Sequence, residues 1–328
     1  MSRNLTVALM PCFILMVAGA CGAADTPSGL RARGMTPSAD RFSTAEWSEP
    51  VLLGAEVNSA SRELRPALSP DGLSLYFGSD RPNGHGGLDL WVAIRACVEC
   101  PWEAAVNVGA TLNTAFNEGS PAFSTDGRFL FFTSNKPGGS GNDDIYVAYR
   151  ADGNDNAGWE APTNLGPDVN TGQLEFGSGF QQNQSGTYAA LYFTRGDAVA
   201  SGIYVVDLER AGNSVSTRGP AALVQELSAP GFMNNSPTLR GDGKELLFWS
   251  TRPGGLGGPA DLWVSTRQTP HDAWSVPTNL GMPVNSVFAD LEPSVSHDGR
   301  TLVFSAGARR GGLGGQDIWY STRLGGQR

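Results

Sequence analysis

Five polar side chains occupy one recurring place in this sequence: Glu63, Glu118, Glu175, Asn234 and Asp290 each stand eight residues before the third residue of a recurring turn. Four are carboxylates, and carboxylates gathered at one place have three chemistries open to them. Their oxygens suit a hard cation such as calcium, the one cofactor the sequence suggests. Carboxylates whose environments push their pKa values apart can act as acid and base on a glycosidic bond, a role for which Glu292 joins the set. They can also each accept a hydrogen bond from the neighbouring repeat unit, one blade bonding the next. Repetition favours that last reading, because a scaffold needs the same bond in every unit, whereas a site depends on residues that do not recur.

Other reactive groups are sparse. His85, His271 and His297 fall on dissimilar turn or loop positions, and no Ser-x-Gly elbow of hydrolases is present. The glycine-rich runs, such as Arg252-Pro253-Gly254-Gly255, lack the Gly-Lys-Ser/Thr that opens a helix in phosphate loops; their glycines read as tight turns. The Arg or Lys that starts each run is expected to pair with the Asp of the strand that follows. Of four cysteines, Cys97 and Cys100 are expected to close a short disulfide, since a zinc site would need a second pair.

The elements that must position these groups repeat. The turns Ser69-Pro70-Asp71-Gly72, Ser124-Thr125-Asp126-Gly127, Gln181-Gln182-Asn183, Arg240-Gly241-Asp242-Gly243 and Ser296-His297-Asp298-Gly299 lie 55, 57, 59 and 56 residues apart, the mark of repeat architecture. Before each turn a short strand enters through proline, as in Pro66-Ala67-Leu68; after it Leu75 and Phe77, or Leu130 and Phe132, alternate with strand period. Asp89-Leu90-Trp91-Val92 and its counterparts form a third strand, and Trp91, Trp263 and Trp319 read as blade core. Trp102, Trp159 and Trp274 open a fourth. Four antiparallel strands per repeat predict an all-β, five-bladed propeller. Trp47 to Gly54 reads as a fourth strand without its first three, and the last repeat lacks a fourth, so the amino-terminal strand is expected to complete the last blade.

Over residues 46 to 323 these motifs resemble the TolB-type, WD40-like propeller repeat of bacterial envelope proteins, whose unit reads Ser-Pro-Asp-Gly, a Leu-x-Phe strand, Ser-x-Arg, a glycine-rich loop and Asp-Ile-Tyr-Val. The third repeat departs, with Asn183 for Asp and Gly202 where the others have Asp. The resemblance implies an envelope or extracellular propeller and no single reaction. The expectation is therefore a monomeric, non-catalytic binding or scaffolding module for an envelope protein or a cell-surface polymer. A glycan-active enzyme of glycosidase type, using Glu63, Glu118, Glu175, Asp290 and Glu292 at the channel mouth, is the alternative. Departures from the repeat, Arg195 and the segment Phe232-Met233-Asn234, mark the expected partner surface.

Residues 1 to 20 carry Arg3, an apolar run from Leu5 to Val17 and Ala18-Gly19-Ala20, the order of a secretory signal. Cys21 follows, so lipidation of Cys21 competes with a simple cut after Ala18-Gly19-Ala20, and the product is periplasmic, anchored to the outer membrane or secreted. Residues 21 to 43 read as a tether and 44 to 328 as one propeller domain. A formal charge of −9 without a basic stripe argues against nucleic acid, and membrane contact is expected only through a lipid on Cys21.

Overall fold

The computed structural model describes residues 47–182, 188–197 and 199–323, all within one unit, Ala39–Arg328. The expected signal, Cys21 and the tether lie outside the described residues, as does Asn183. Among the described residues there are strands and turns and no helix.

Strand β1 (Val51–Leu52) is followed by the first blade, β2 (Glu63–Leu68), β3 (Ser74–Ser79), β4 (Asp89–Ile94) and β5 (Val106–Asn107). The second blade is β6 (Glu118–Phe123), β7 (Phe129–Ser134), β8 (Asp144–Tyr149) and β9 (Thr163–Asn164). The third holds β10 (Leu174–Gln182), β11 (Tyr188–Gly196) and β12 (Ser201–Ala211), with β13 (Ser214–Thr217) and β14 (Ala222–Leu223) both pairing with β12. The fourth is β15 (Asn234–Leu239), β16 (Glu245–Ser250), β17 (Asp261–Thr266) and β18 (Thr278–Asn279). The fifth is β19 (Asp290–Val295), β20 (Thr301–Gly307) and β21 (Gln316–Thr322). Its fourth strand is β1, which pairs antiparallel with β21 through Val51 opposite Tyr320, so the amino-terminal strand closes the ring as expected. Outside the third blade the fourth strands are only two residues long, and Trp102, Trp159 and Trp274 lie just outside the ladder.

The second strand of a blade is sandwiched between its neighbours, which is why every residue of β3, β7 and β16 is buried. Each core cluster draws on two consecutive blades: Tyr76, Leu90 and Val92 of the first pack with Leu130, Phe132 and Tyr146 of the second. At roughly 1.5–3 kcal/mol per fully buried large apolar side chain, these interfaces hold the ring together. The turns are built as read: Gly72, Gly127, Gly243 and Gly299 take φ between 68° and 73°, and the Asp71 carboxylate accepts from Ser69 Oγ and Leu73 N.

The inner strands β2, β6, β10, β15 and β19 touch one another in a closed ring around the axis. Each carries a bulge with one residue at positive φ: Arg65 (53°), Ser120 (52°), Gly177 (59°), Ser236 (52°) and Glu292 (56°). Four of these are not glycine, so a left-handed conformation that costs about 1–2 kcal/mol per residue is kept in the innermost layer.

Deleting residues 47–54 is expected to expose the edge of β21 and remove Trp47 from the core. Calorimetry should show a lower and broader transition. Unchanged melting would mean the last blade does not need its borrowed strand.

Candidate functional site

The recurring polar ring is buried completely: Glu63, Glu118, Glu175, Asn234 and Asp290 each have 0% of their surface exposed. Their partners are local. Glu118 accepts from Thr114 N (2.7 Å), Thr114 Oγ1 (2.7 Å) and Ser134 Oγ (2.6 Å). Glu63 accepts from Ser59 N, Ser59 Oγ, Ser79 Oγ and, at 2.9 Å, Arg81 Nη2. Glu175 takes Thr171 and Arg195; Asp290 takes Ser286, with Arg309 3.7 Å away. The donors come from the loop leading into each blade and from the blade itself, not from the next blade. Among the described residues no group of three or more His, Cys, Asp or Glu side chains is arranged to hold a metal ion. The four carboxylates expected to share calcium are separate sites, one per blade.

Burial pushes the Glu175 and Asp290 carboxyls up, opposed for Glu175 by Thr171 and Arg195 and for Asp290 by Arg309 and Ser286. The arginines feel the same burial, which brings the Arg252 guanidinium down to about 10. These cations do not pair with the third-strand aspartates, as the sequence suggested. Asp89, Asp144, Asp261 and Asp317 instead accept backbone N–H groups of their own glycine-rich loops, such as His85 N, Ser140 N, Leu256 N and Leu313 N.

The expected partner surface is also taken up inside the fold. The Arg195 guanidinium bonds Glu175 Oε1 and Val169 O beneath the Tyr204 ring. Asn234 Oδ1 accepts from Ser250 and Arg252, and its Nδ2 donates to Ser201 O, Ala229 O and Phe232 O. Phe232 is half-buried, and Met233 packs partly buried against the core of the fourth and fifth blades. Asn234 is thus the fourth blade's version of the ring carboxylate. Cys97 and Cys100 form a disulfide on an exposed loop, and Trp91, Trp263 and Trp319 are buried in their blades.

What does not recur lies on the axis. The bulges turn Arg65, Ser120, Ser236 and Glu292 toward a cavity of about 80 Å³, also lined by Ser178 and by Pro66, Pro121, Pro237 and Pro293. Ser120, Ser178 and Ser236 are buried hydroxyls without a hydrogen-bond partner. Glu292 accepts from Arg65 N (2.8 Å) and Ser305 Oγ (2.5 Å), while Arg65 Nε stands 3.3 Å from Glu292 Oε1 without hydrogen-bond geometry. The other flank of Arg65 belongs to the second blade. There Asp143, immediately before β8, is fixed by Glu175 N donating to its carbonyl at 2.9 Å, and burial pushes its carboxyl up, opposed by Arg65 and reinforced by Asp144. Sequence reasoning named Glu292 and missed Arg65 and Asp143. The place of Asp143 is filled in the other blades by Leu88, Ser201, Ala260 and Gln316, so no repeat marks it.

The sequence matches no protein-family model and no curated protein. Solved structures do resemble the fold. A native arabinanase from Bacillus subtilis is 14% identical with a TM-score of 0.56, over 85% of this chain and 96% of that one. The catalytic domain of a Coprinopsis cinerea GH62 alpha-L-arabinofuranosidase is 11% identical, TM-score 0.57, over 86% and 98%. An alpha-L-arabinofuranosidase from Lactobacillus brevis is 14% identical, TM-score 0.54, over 84% and 95%. At these identities the likeness is one of fold.

It corrects the resemblance to the TolB-type family, because the similar solved structures are glycoside hydrolases with this propeller. The shared motifs are the grammar of a blade, an Asp-Gly hairpin and a Leu-x-Phe strand, and carry no family by themselves. The expectation of a non-catalytic envelope scaffold rested on that family and is corrected with it.

Two outcomes test the ring. Glu118→Ala should lose about 1–3 kcal/mol, the cost of leaving Thr114 and Ser134 unpaired, and calcium or chelator should leave wild-type melting unchanged. A calcium-dependent rise in melting temperature would restore the cation reading. Asp290 tests the effect of burial. Its raised folded pKa means the unfolded chain releases its proton first, so its contribution is greatest below about 3.9, the unfolded value, and is lost as pH rises through the folded value. The melting temperature of Asp290→Asn minus that of wild type should therefore climb between pH 3.5 and pH 6, roughly. A flat difference would contradict the assignment.

Proposed function

We propose that this chain is a glycan-active enzyme of glycosidase type, working at the mouth of the propeller channel. The observation that carries the proposal is a pair of unlike carboxylates on the two flanks of Arg65: Asp143, half-buried with its carboxyl pushed up by burial, and Glu292, held by Arg65 and Ser305. Hydrolysis of a glycosidic bond asks for such a pair. Asp143 gives its proton to the leaving oxygen as the bond to the anomeric carbon breaks. A water in the cavity, which has several times the room one water needs, attacks that carbon and passes its proton to Glu292. Arg65 Nε and the unpaired hydroxyls of Ser120, Ser178 and Ser236 are donors placed for sugar oxygens.

The activities of the similar structures, arabinanase and alpha-L-arabinofuranosidase, support arabinose-containing glycans as the substrate class. A cavity this narrow takes the edge of a single sugar ring, which supports action at a terminal residue. Such polymers lie outside cells, in keeping with the export we propose from residues 1 to 20.

Wild type should release sugar from arabinan or arabinoxylan oligosaccharides. Asp143→Asn and Glu292→Gln should each lower kcat by about 100-fold or more while melting within a few degrees of wild type, as loss of a positioned acid or base does. No release from either substrate, or full rates in both variants, would sink the assignment.

A further inference from the structure

One Arg–Trp pair recurs at the opposite end of the blades, beside the Asp-Gly turns. Arg95 lies over Trp102 at 4.3 Å, Arg150 over Trp159 at 4.3 Å, Arg267 over Trp274 at 3.9 Å and Arg323 over Trp47 at 4.5 Å. In three of these the terminal nitrogens meet a protein acceptor. Arg150 donates to Asn156 Oδ1 and Gly153 O, Arg267 to Tyr192 OH and Gln181 Oε1, and Arg323 to Glu245 Oε1 at 2.5 Å. Arg95 differs. Among the described residues its guanidinium donates only through Nε, to Gly72 O, and Nη1 and Nη2 have no acceptor.

The reason lies across the blade interface. Tyr76 and Tyr192 fill the gap beneath the pairs of the second and fourth blades: Trp159 Nε1 donates to Tyr76 OH, and Arg267 to Tyr192 OH. The same register position of the second strand is Phe131 and Leu247 in two other blades, and in the fifth it is Val303, the smallest of the series. The room left open is a pocket of about 420 Å³ between the fifth and first blades. Arg95, Trp102, Tyr320 and the disulfide loop with Glu99 line it. Glu99, Asp71 and Tyr320 stand within charge-interaction range of Arg95 but none of them bonds it. Burial acts against this guanidinium's charge, opposed by Glu99, Asp71 and Tyr320 at a distance, while its two terminal nitrogens have no hydrogen-bond acceptor among the described residues.

We propose that this pocket binds a uronate residue of an acidic glycan, its carboxylate on the open fork of Arg95 and its ring against Trp102 and Tyr320. Two adjacent guanidinium nitrogens match a carboxylate's two oxygens. An apolar aromatic wall beside a few polar groups, at the size of a small-ligand site, suits a sugar ring. Glu99 on the rim is an acceptor for a sugar hydroxyl. The site is independent of the channel and of the reaction proposed there, so either can fail alone.

Titration calorimetry of the whole chain with digalacturonate, with cellobiose as the neutral control, tests the assignment. Digalacturonate should bind and cellobiose should not. Val303→Tyr, which restores the side chain the repeat uses elsewhere, should weaken binding at least tenfold without lowering the melting temperature, and Arg95→Gln should do the same to binding. Arg95→Gln also removes the bond to Gly72 O, so Trp102→Ala serves as a second wall variant should it fold poorly. No heat with digalacturonate, equal binding of cellobiose, or unchanged binding by folded Val303→Tyr would overturn the proposal.

Discussion

Each blade depends on one half-buried cation. Arg81, Arg195, Arg252 and Arg309 leave the end of the second strand and reach two acceptors at once. One is the inner-strand group of the ring, Glu63, Glu175, Asn234 or Asp290; the other is a carbonyl of the loop arriving from the preceding blade, Val57, Val169, Leu227 or Val284. The guanidinium then lies on an aromatic ring of the third strand: Trp91, Tyr204, Trp263 or Trp319. A single side chain thereby ties inner strand, third strand and blade crossing. Removing either acceptor would leave a half-buried charge short of a partner, a much larger cost than the net worth of the pair. The second blade uses Lys136 over Tyr146, and an ammonium cannot reproduce the planar fork. Glu118 is accordingly held by Thr114 and Ser134 alone.

With the inner strand pinned at that point, the residue two positions on can sit in a bulge at positive φ and still point consistently at the axis. The pin recurs and its neighbour does not. Arg65, Ser120, Gly177, Ser236 and Glu292 share a conformation and almost no chemistry, which is how a repeated scaffold presents one asymmetric cavity. Arg65 is central because its own backbone N–H and side chain both approach Glu292, linking the first blade to its neighbour in the ring, the fifth.

The architecture was legible because a propeller states its turns and strand periods once per blade, and even the borrowed strand β1 could be found by counting what each end lacked. The same repetition misled the reading of the ring. Four aligned carboxylates look like a site, yet side chains that recur in every blade are answering a demand every blade makes. Asn58, Asn113, Asn170 and Asn285, thirteen residues before their turns, were an equally regular signal that went unread. Each bonds both the N–H and the carbonyl of one residue, in the preceding third strand, Ile318, Leu90, Ile145 or Leu262, standing in for a further strand. Asp143 was beyond reach for the opposite reason: nothing in the neighbouring sequence sets it apart, and only folding brings it beside an arginine 78 residues away.

Departures from a repeat have two physical meanings, and the contacts tell them apart. Asn234 for a carboxylate is compensated: Arg252, Ser250 and three carbonyls satisfy every polar atom of its amide, so the change is absorbed by the scaffold. Val303 for an aromatic is compensated only in part. Tyr320 stands where the other third strands carry valine, as at Val92 opposite Tyr76, and restores bulk on the neighbouring strand. It does not restore an acceptor, so Arg95 keeps its Trp and its bond to Gly72 O but has no acceptor for its terminal nitrogens. A repeat protein can afford an incomplete interface because the other four blades still close the ring. A polar group left open at such a place is therefore better read as a place for a ligand than as a defect in packing, and the same logic applies to the unpaired serines of the axial cavity.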